Sequence, residues 1–271
     1  MASLSKYGLI AGNGKFPFIV LEAARSQGID MVVAAIKEEA FPEIEQHAKT
    51  VHWMSLGQLG KLIKTFKTEG VNHAIMAGQV KHKQIFSSII PDLKMIQLLA
   101  GLATKNTDSL LGGVAKMLED EGIHLVDSTL FLRPLLPDPG VLTRRAPSQD
   151  EQRDLDYGYK IARELGRLDL GQSVVVSDGA CVAMEAMEGT DAIIERAASL
   201  VNGRMLRVVK LAKPNQDLRF DVPVIGTATV RLMSRLKVSA LAIEARKTLM
   251  IDRDELIEFA NESGLAIVAV E

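Results

Sequence analysis

Short apolar runs, separated by longer amphipathic stretches, constrain this chain more than anything else in it. They cover residues 7–11, 31–36, 72–77 and 123–126 in the first half, and 173–176, 205–211, 240–243, 249–251 and 265–270 in the second. Each is too short for a core helix and suits a buried strand. Between them apolar residues return at helical spacing. Examples are Leu59, Leu62, Ile63 and Phe66; Leu111, Val114, Ala115 and Leu118; and Ile193, Ile194, Ala197, Leu200 and Val201. Residues 18–24, 150–165 and 253–261 read as further helices. Another helix starts at Pro91-Asp92, and Thr107 or Asp108 caps one more. Strands that alternate with helices need crossover connections, which predicts an α/β fold with parallel pairing.

The alternation breaks once. Residues 133–147 hold four of the nine prolines (Pro134, Pro137, Pro139 and Pro147) and show no periodicity. A segment that continues neither helix nor ladder marks a domain boundary. The expected organisation is a Rossmann-like N-terminal domain with a parallel sheet over 1–132, a Pro-rich linker over 133–148, and a C-terminal α/β domain over 149–271.

Bulk properties exclude some classes. A hydrophobic content of 47% with 24% charged residues is globular. The net charge of −2 gives no electrostatic footprint for nucleic acid. No run approaches the roughly 20 apolar residues of a spanning helix, and the N-terminus lacks the apolar core of a signal peptide. One cysteine, Cys181, forbids an internal disulfide and fits a reducing cytoplasm. A soluble, cytoplasmic protein is expected, with contact at a membrane surface left open.

Residues able to carry chemistry gather in 213–229, K-P-N-Q-D-L-R-F-D-V-P-V-I-G-T-A-T. If its middle is extended, Asp217, Arg219 and Asp221 share one face, and Leu218, Phe220 and Val222 share the other. Pro214 and Pro223 bracket the run. Gly226 frees the backbone, and Thr227 or Thr229 can cap a following helix whose first N–H groups attract anions. Carboxylates hold Mg²⁺ or Mn²⁺, while Arg219 and Lys213 can hold phosphate oxygens, so the mixture suits a phosphate ester with a divalent cation. Fully extended, Asp217 and Asp221 stand roughly 13 Å apart at about 3.3 Å per residue, and share an ion only if the run bends. The plain alternative is an edge strand with a solvated charged face.

Two loops of the first half offer phosphate contacts. Gly12-Asn13-Gly14-Lys15 follows the first apolar run and opens a helix with Pro17 in its first turn. Its glycines let backbone amides approach a phosphate, although the third glycine of a dinucleotide fingerprint is missing. Gly78-Gln79-Val80-Lys81-His82-Lys83 follows 72–77, at the strand end where open α/β sheets place ligands. A tight turn and a solvated basic turn are the respective alternatives. In the second half Asp178, Glu185, Glu188 and Asp191 lie close in sequence. Asp178, after a strand and before a glycine, is the best placed of the four as a further metal ligand, and Thr190 is a natural helix cap. The histidines form no zinc spacing, and no G-x-S-x-G or Walker sequence occurs.

Four stretches in order give the chain a family resemblance. G-L-I-A-G-N-G-K-F-P (8–17), M-A-G-Q-V-K (76–81), D-G-A-C-V-A-M-E-A-M-E-G-T-D (178–191) and K-P-N-Q-D-L-R-F-D-V-P-V-I-G-T (213–227) together resemble the LpxI-type UDP-2,3-diacylglucosamine pyrophosphatases of lipid A biosynthesis. The resemblance runs from end to end. It implies two α/β domains, the first Rossmann-like, with ligand held between them. It also implies hydrolysis of UDP-2,3-diacylglucosamine, with divalent metal, to UMP and 2,3-diacylglucosamine 1-phosphate (lipid X). The family's essential aspartate belongs to R-F-D-V-P and is carried onto Asp221. The chain has no D-x-H, G-N-H-E or Nudix glutamate box, the marks of other enzymes for such reactions.

On this resemblance, Asp221 binds Mg²⁺ (or Mn²⁺) or orients water, with Asp217 or Asp178 as helper. Gly12, Asn13, Gly14, Lys15, Gly78, Gln79 and Lys81 take nucleotide or diphosphate. Lys213, Arg219, Gly226, Thr227 and Thr229 hold charge that grows in the transition state. The partners are then the UDP-sugar lipid and its products, with a homodimer and peripheral contact with the inner membrane left open. A nicotinamide-dependent oxidoreductase and a non-catalytic sugar-nucleotide-binding protein are the rival expectations.

Overall fold

A computed structural model describes residues 6–80, 90–102, 107–214 and 216–271. The chain divides into two units, Met1–Phe131 with Leu218–Phe220, and Leu132–Asp217 with Asp221–Glu271.

The first unit is built on a five-stranded parallel sheet in the order β3-β2-β1-β4-β5. Its strands are β1 (Tyr7–Ala11), β2 (Val32–Ile36), β3 (Thr50–Met54), β4 (His73–Ala77) and β5 (His124–Leu125). The helices are α1 (Phe16–Ser26), α2 (Leu59–Thr68), α3 (Leu93–Gly101) and α4 (Thr107–Asp120). All four apolar runs of the first half supply strands; β3 was not among them. Its sequence, T-V-H-W-M, buries only Met54, so no apolar pattern marks it. It lies at the sheet edge, where the ladder to β2 satisfies its backbone. Helix α2 turns Leu59, Leu62, Ile63 and Phe66 inward, against Met54, Leu118 and Ile123. Asp92 ends two helices at once. Its Oδ1 accepts from the Met95 N–H (3.0 Å) in α3, and its Oδ2 accepts from the Gly60 (2.7 Å) and Lys61 (3.3 Å) N–H groups in α2. Because β1 and β4 are neighbours from which the order runs outward, the loops that follow them come side by side.

The second unit carries a six-stranded mixed sheet, ordered β6-β13-β11-β9-β7-β8. Strands β9 (Leu206–Lys210), β11 (Val238–Glu244) and β13 (Ala266–Val270) are parallel. By contrast, β7 (Ser173–Ser177) runs antiparallel to β9, β8 (Ala180–Met184) antiparallel to β7, and β6 (Gly140–Val141) antiparallel to β13. Parallel pairing therefore holds in the middle of this sheet and fails at its edges. For β7 and β8 the reason is local. Asp178 and Gly179 both take positive φ (50° and 75°), and that two-residue turn reverses the chain without a crossover. A separate parallel pair joins β10 (Val224–Gly226) to β12 (Leu249–Ile251). The helices are α5 (Gln149–Arg167), α6 (Thr190–Leu200), α7 (Thr227–Arg235) and α8 (Arg253–Glu262). Ser148 and Glu151 close a capping box at the start of α5.

The proline-rich stretch is built into this unit. Strand β6 pairs with β13, Thr143 Oγ1 accepts from the Ile267 N–H at 3.0 Å, and Arg145 donates to Glu151 at 2.6 Å.

Candidate functional site

The run expected to be extended, 217–222, is a turn. The Asp221 N–H donates to the Asp217 carbonyl at 2.9 Å, and residues 218–220 form the bend between them. All six residues are half-buried, so the apolar and charged sets do not separate onto two faces. The cause is where Leu218–Phe220 packs. It is taken up by the first unit, where the Ser128 N–H donates to the Leu218 carbonyl at 2.9 Å. The Ser128 hydroxyl lies 2.6 Å from the Met76 carbonyl and 2.7 Å from that of Arg219, with one proton to share. Phe220 packs on the apolar core of that unit, and the Arg219 guanidinium stands 5.9 Å from the Phe220 ring centre. A five-residue turn removes the 13 Å span of an extended run and puts both aspartates on one bend.

A polar cluster forms at the C-terminal end of β9, where parallel sheets present side chains to ligands. Lys210 closes the strand and is only 6% exposed. Its ammonium donates to Thr190 Oγ1 at 2.7 Å. That hydroxyl also meets Ser173 Oγ (3.1 Å) and donates to Glu185 Oε1 (3.4 Å). Burial lowers the Lys210 pKa, against the charges of Glu185, Asp191 and Asp221. Asp221 thus lies within electrostatic reach of a buried lysine. Thr229 Oγ1 donates to Asp191 Oδ1 at 2.8 Å, which joins the first turn of α7 to that of α6. Thr190, Thr227 and Thr229 do not cap these helices. Gly189 is the N-cap of α6 and Gly226 that of α7, neither with a side-chain cap bond. Lys210 carried no mark in the sequence beyond a lysine closing an apolar run just ahead of 213–229.

In the first unit the two glycine loops meet. The Gly12 N–H donates to the Ala77 carbonyl (2.8 Å), and Asn13 and Gln79 exchange N–H···O bonds of 2.8 and 3.0 Å. A Cβ on Gly12 would stand 2.7 Å from the Gln79 oxygen, and one on Gly78 2.6 Å from the Asn13 oxygen. Both glycines therefore have a reason within the fold, and the amides of Gly12, Asn13 and Gln79 are already engaged. Gly14, with φ +94°, has open space where its Cβ would be. Lys15 is the N-cap of α1, whose first turn holds no acidic residue. Lys81, with His82 and Lys83, lies outside the described residues.

The remaining candidates are spread. The Lys213 ammonium donates to Asp169 Oδ1 at 2.6 Å. Asp178 sits beyond Ser177, whereas Ser173 at the other end of β7 lies opposite Lys210, so Asp178 is at the far end of the sheet. There it meets Arg207 at 3.7 Å and Arg204 at 3.8 Å, a setting that does not bring it to Asp217 and Asp221. The Glu188 carboxylate accepts from its own N–H, from the Ala186 N–H and from Arg196, and these bonds hold its pKa down. Among the described residues no group of three or more His, Cys, Asp or Glu side chains is set to hold a metal ion. Asp217 and Asp221 stand at the two ends of one five-residue turn, and two carboxylates would suit a Mg²⁺ that takes its other ligands from water and phosphate oxygens rather than from a closed protein cage. Also among the described residues, no helix is long and apolar enough to cross a membrane.

Comparison with known proteins matches both halves of the chain to one family. The LpxI N-terminal domain profile covers residues 6–135 and the LpxI C-terminal domain profile covers 138–268. A curated relative from Caulobacter vibrioides, named UDP-2,3-diacylglucosamine pyrophosphatase LpxI, is 32% identical over 278 residues, spanning 99% of this chain and 98% of the relative. Among solved structures, the biotin carboxylase domain of Hydrogenobacter thermophilus 2-oxoglutarate carboxylase overlays at a TM-score of 0.27 and 14% identity, across 65% of this chain and 35% of that one. Kluyveromyces lactis urea carboxylase gives a TM-score of 0.30 and 16% identity, across 64% of this chain and 12% of that one. At such scores these overlays establish neither fold nor function.

Proposed function

As the chain belongs to the LpxI family, we propose that it hydrolyses the pyrophosphate bond of UDP-2,3-diacylglucosamine to UMP and 2,3-diacylglucosamine 1-phosphate. In that reaction the oxygen of one water bonds to a phosphorus atom, the bridging P–O bond breaks, and the water's protons pass to the new oxygens. The observation that carries the assignment is the bend that sets Asp217 and Asp221 on one turn, with Asp221 in the field of Lys210.

Each residue then has a role its chemistry suits. Asp221 and Asp217 would hold Mg²⁺ (or Mn²⁺), which when bound neutralises diphosphate charge and acidifies its water. Asp221 also orients the attacking water. Arg219 and Lys213, with the amides at the Gly226–Thr227–Thr229 helix start, meet phosphoryl oxygens as charge builds on them. Gly14, Lys15, Gln79 and Lys81 are assigned to the nucleotide end, with Gly12, Asn13 and Gly78 shaping the loops beneath it. Asp178 has no part in this arrangement. We place the enzyme in the cytoplasm, meeting its acylated substrate at the membrane surface.

The test is direct. The protein is incubated with UDP-2,3-diacylglucosamine and Mg²⁺, with and without chelator, and products are separated. UMP and the acylated sugar phosphate in equal amounts, lost on chelation, are expected. No UMP from the wild type rejects the activity, and undiminished turnover in chelator rejects the metal.

A further inference from the structure

Resting on the diphosphate substrate assigned above, we propose that Lys210 is the buried cation of the phosphate site and donates its ammonium protons to a phosphoryl oxygen. Lys210 has three N–H donors, and Thr190 Oγ1 is the one acceptor for them among the described residues. The carboxylates of Glu185, Asp191 and Asp221 act on it through charge rather than through hydrogen bonds. A nine-tenths-buried ammonium with unmet donors is costly unless something completes it.

Two independent features name the missing group. Thr227, in the first turn of α7 and 8% exposed, has no hydrogen-bond partner for its hydroxyl among the described residues. The same turn has no acidic residue and no side-chain cap, so its backbone N–H groups point outward uncapped. The Thr229–Asp191 bond holds the start of α6, which carries Thr190, beside it. An ammonium, a hydroxyl and uncapped amides all seek acceptors. A phosphoryl group offers several acceptor oxygens and full negative charge at once. Glu185 Oε2, 7% exposed, also has no hydrogen-bond partner among the described residues.

The test uses the full chain. Lys210→Met keeps most of the length of the side chain and removes its charge; Thr227→Val removes one hydroxyl. Hydrolysis of UDP-2,3-diacylglucosamine is measured alongside calorimetric titration with inorganic pyrophosphate and with UMP, with thermal melting as the control for folding. We expect Lys210→Met to lower kcat/KM by at least about 100-fold and to weaken pyrophosphate binding more than about tenfold. Thr227→Val should weaken it less, and both should melt like the wild type. A lysine that only shaped the fold would change melting and leave pyrophosphate affinity alone. Wild-type pyrophosphate affinity in folded Lys210→Met overturns the proposal. If that variant does not fold, unchanged affinity in Thr227→Val overturns it instead. A wild type that yields no UMP rejects the reaction, and the pyrophosphate titration still decides Lys210.

Discussion

Gly78 and Gly14 both hold positive φ, yet a methyl group would meet different surroundings at each. At Gly14 it would enter open space, so Gly14→Ala should cost only about 1–2 kcal/mol of backbone strain. At Gly78 it would strike the Asn13 oxygen and the Gly12 carbonyl carbon, at 2.6 and 2.7 Å. The two loops must part, and Gly78→Ala should cost at least about 3 kcal/mol. Urea unfolding of the two variants ranks them, and equal stabilities would contradict the loop contact. Asp221 is a different kind of residue. Its replacement by alanine removes a carboxylate from the chemistry and leaves the turn's backbone bond intact. Turnover should fall on the order of 10³-fold or more while melting stays put. These roles were not equally legible. The family resemblance of R-F-D-V-P singles out Asp221 for its proposed role. Lys210, one residue in a strand ending L-R-V-V-K, becomes significant only through burial and neighbours on other elements, Thr190 among them at 20 residues' separation.

Helix ends carry much of the local specification. Asp92 serves the first turns of both α2 and α3, so Asp92→Ala forfeits two caps, and a loss of about 2 kcal/mol is expected in urea titration. A loss of one cap's worth would show that only one of the two bonds matters. At α5, burial would raise the Glu151 pKa, but the Arg145 guanidinium and the Ser148 N–H overcome it and bring it from 4.5 to about 2. The folded value lies below the unfolded one. The stabilisation from Glu151 is therefore complete above about pH 4.5 and is lost as pH falls toward 2. Glu151→Gln should cost about 1.5–3 kcal/mol at neutral pH and flatten the dependence over that acid window. A variant whose acid dependence matches the wild type would rule this pair out as its source. The central strands were readable as apolar runs, because burial on both faces leaves no polar alternation. Strands β3 and β8 were not, since an edge strand is held by its ladder and needs little apolar pattern.

The two units are not consecutive pieces of chain. Leu218–Phe220 lies deep in the second half of the sequence and is built into the first unit through Ser128 and the apolar core. Ser128 and Phe220 carry no chemistry in the proposed reaction, yet they hold the bend that Asp217 and Asp221 flank. Ser128→Ala would leave the Met76 and Arg219 carbonyls short of a donor, at about 1–3 kcal/mol. Turnover should fall along with stability, and Phe220→Ala should do the same. Wild-type turnover in both would mean that the tether does not set the turn.

The order of apolar runs and amphipathic stretches, together with four motifs, settled class and family and singled out Asp221 as the candidate carboxylate, because those depend on residue type and spacing along the chain. The shape of 217–221 and the company of Lys210 were settled elsewhere. An alternating run is compatible with a strand until Ser128, about ninety residues earlier, claims its carbonyls. A lysine at a strand end is ordinary until two helix starts and three carboxylates close around it. Such contacts join positions distant in the chain, and no local propensity encodes them.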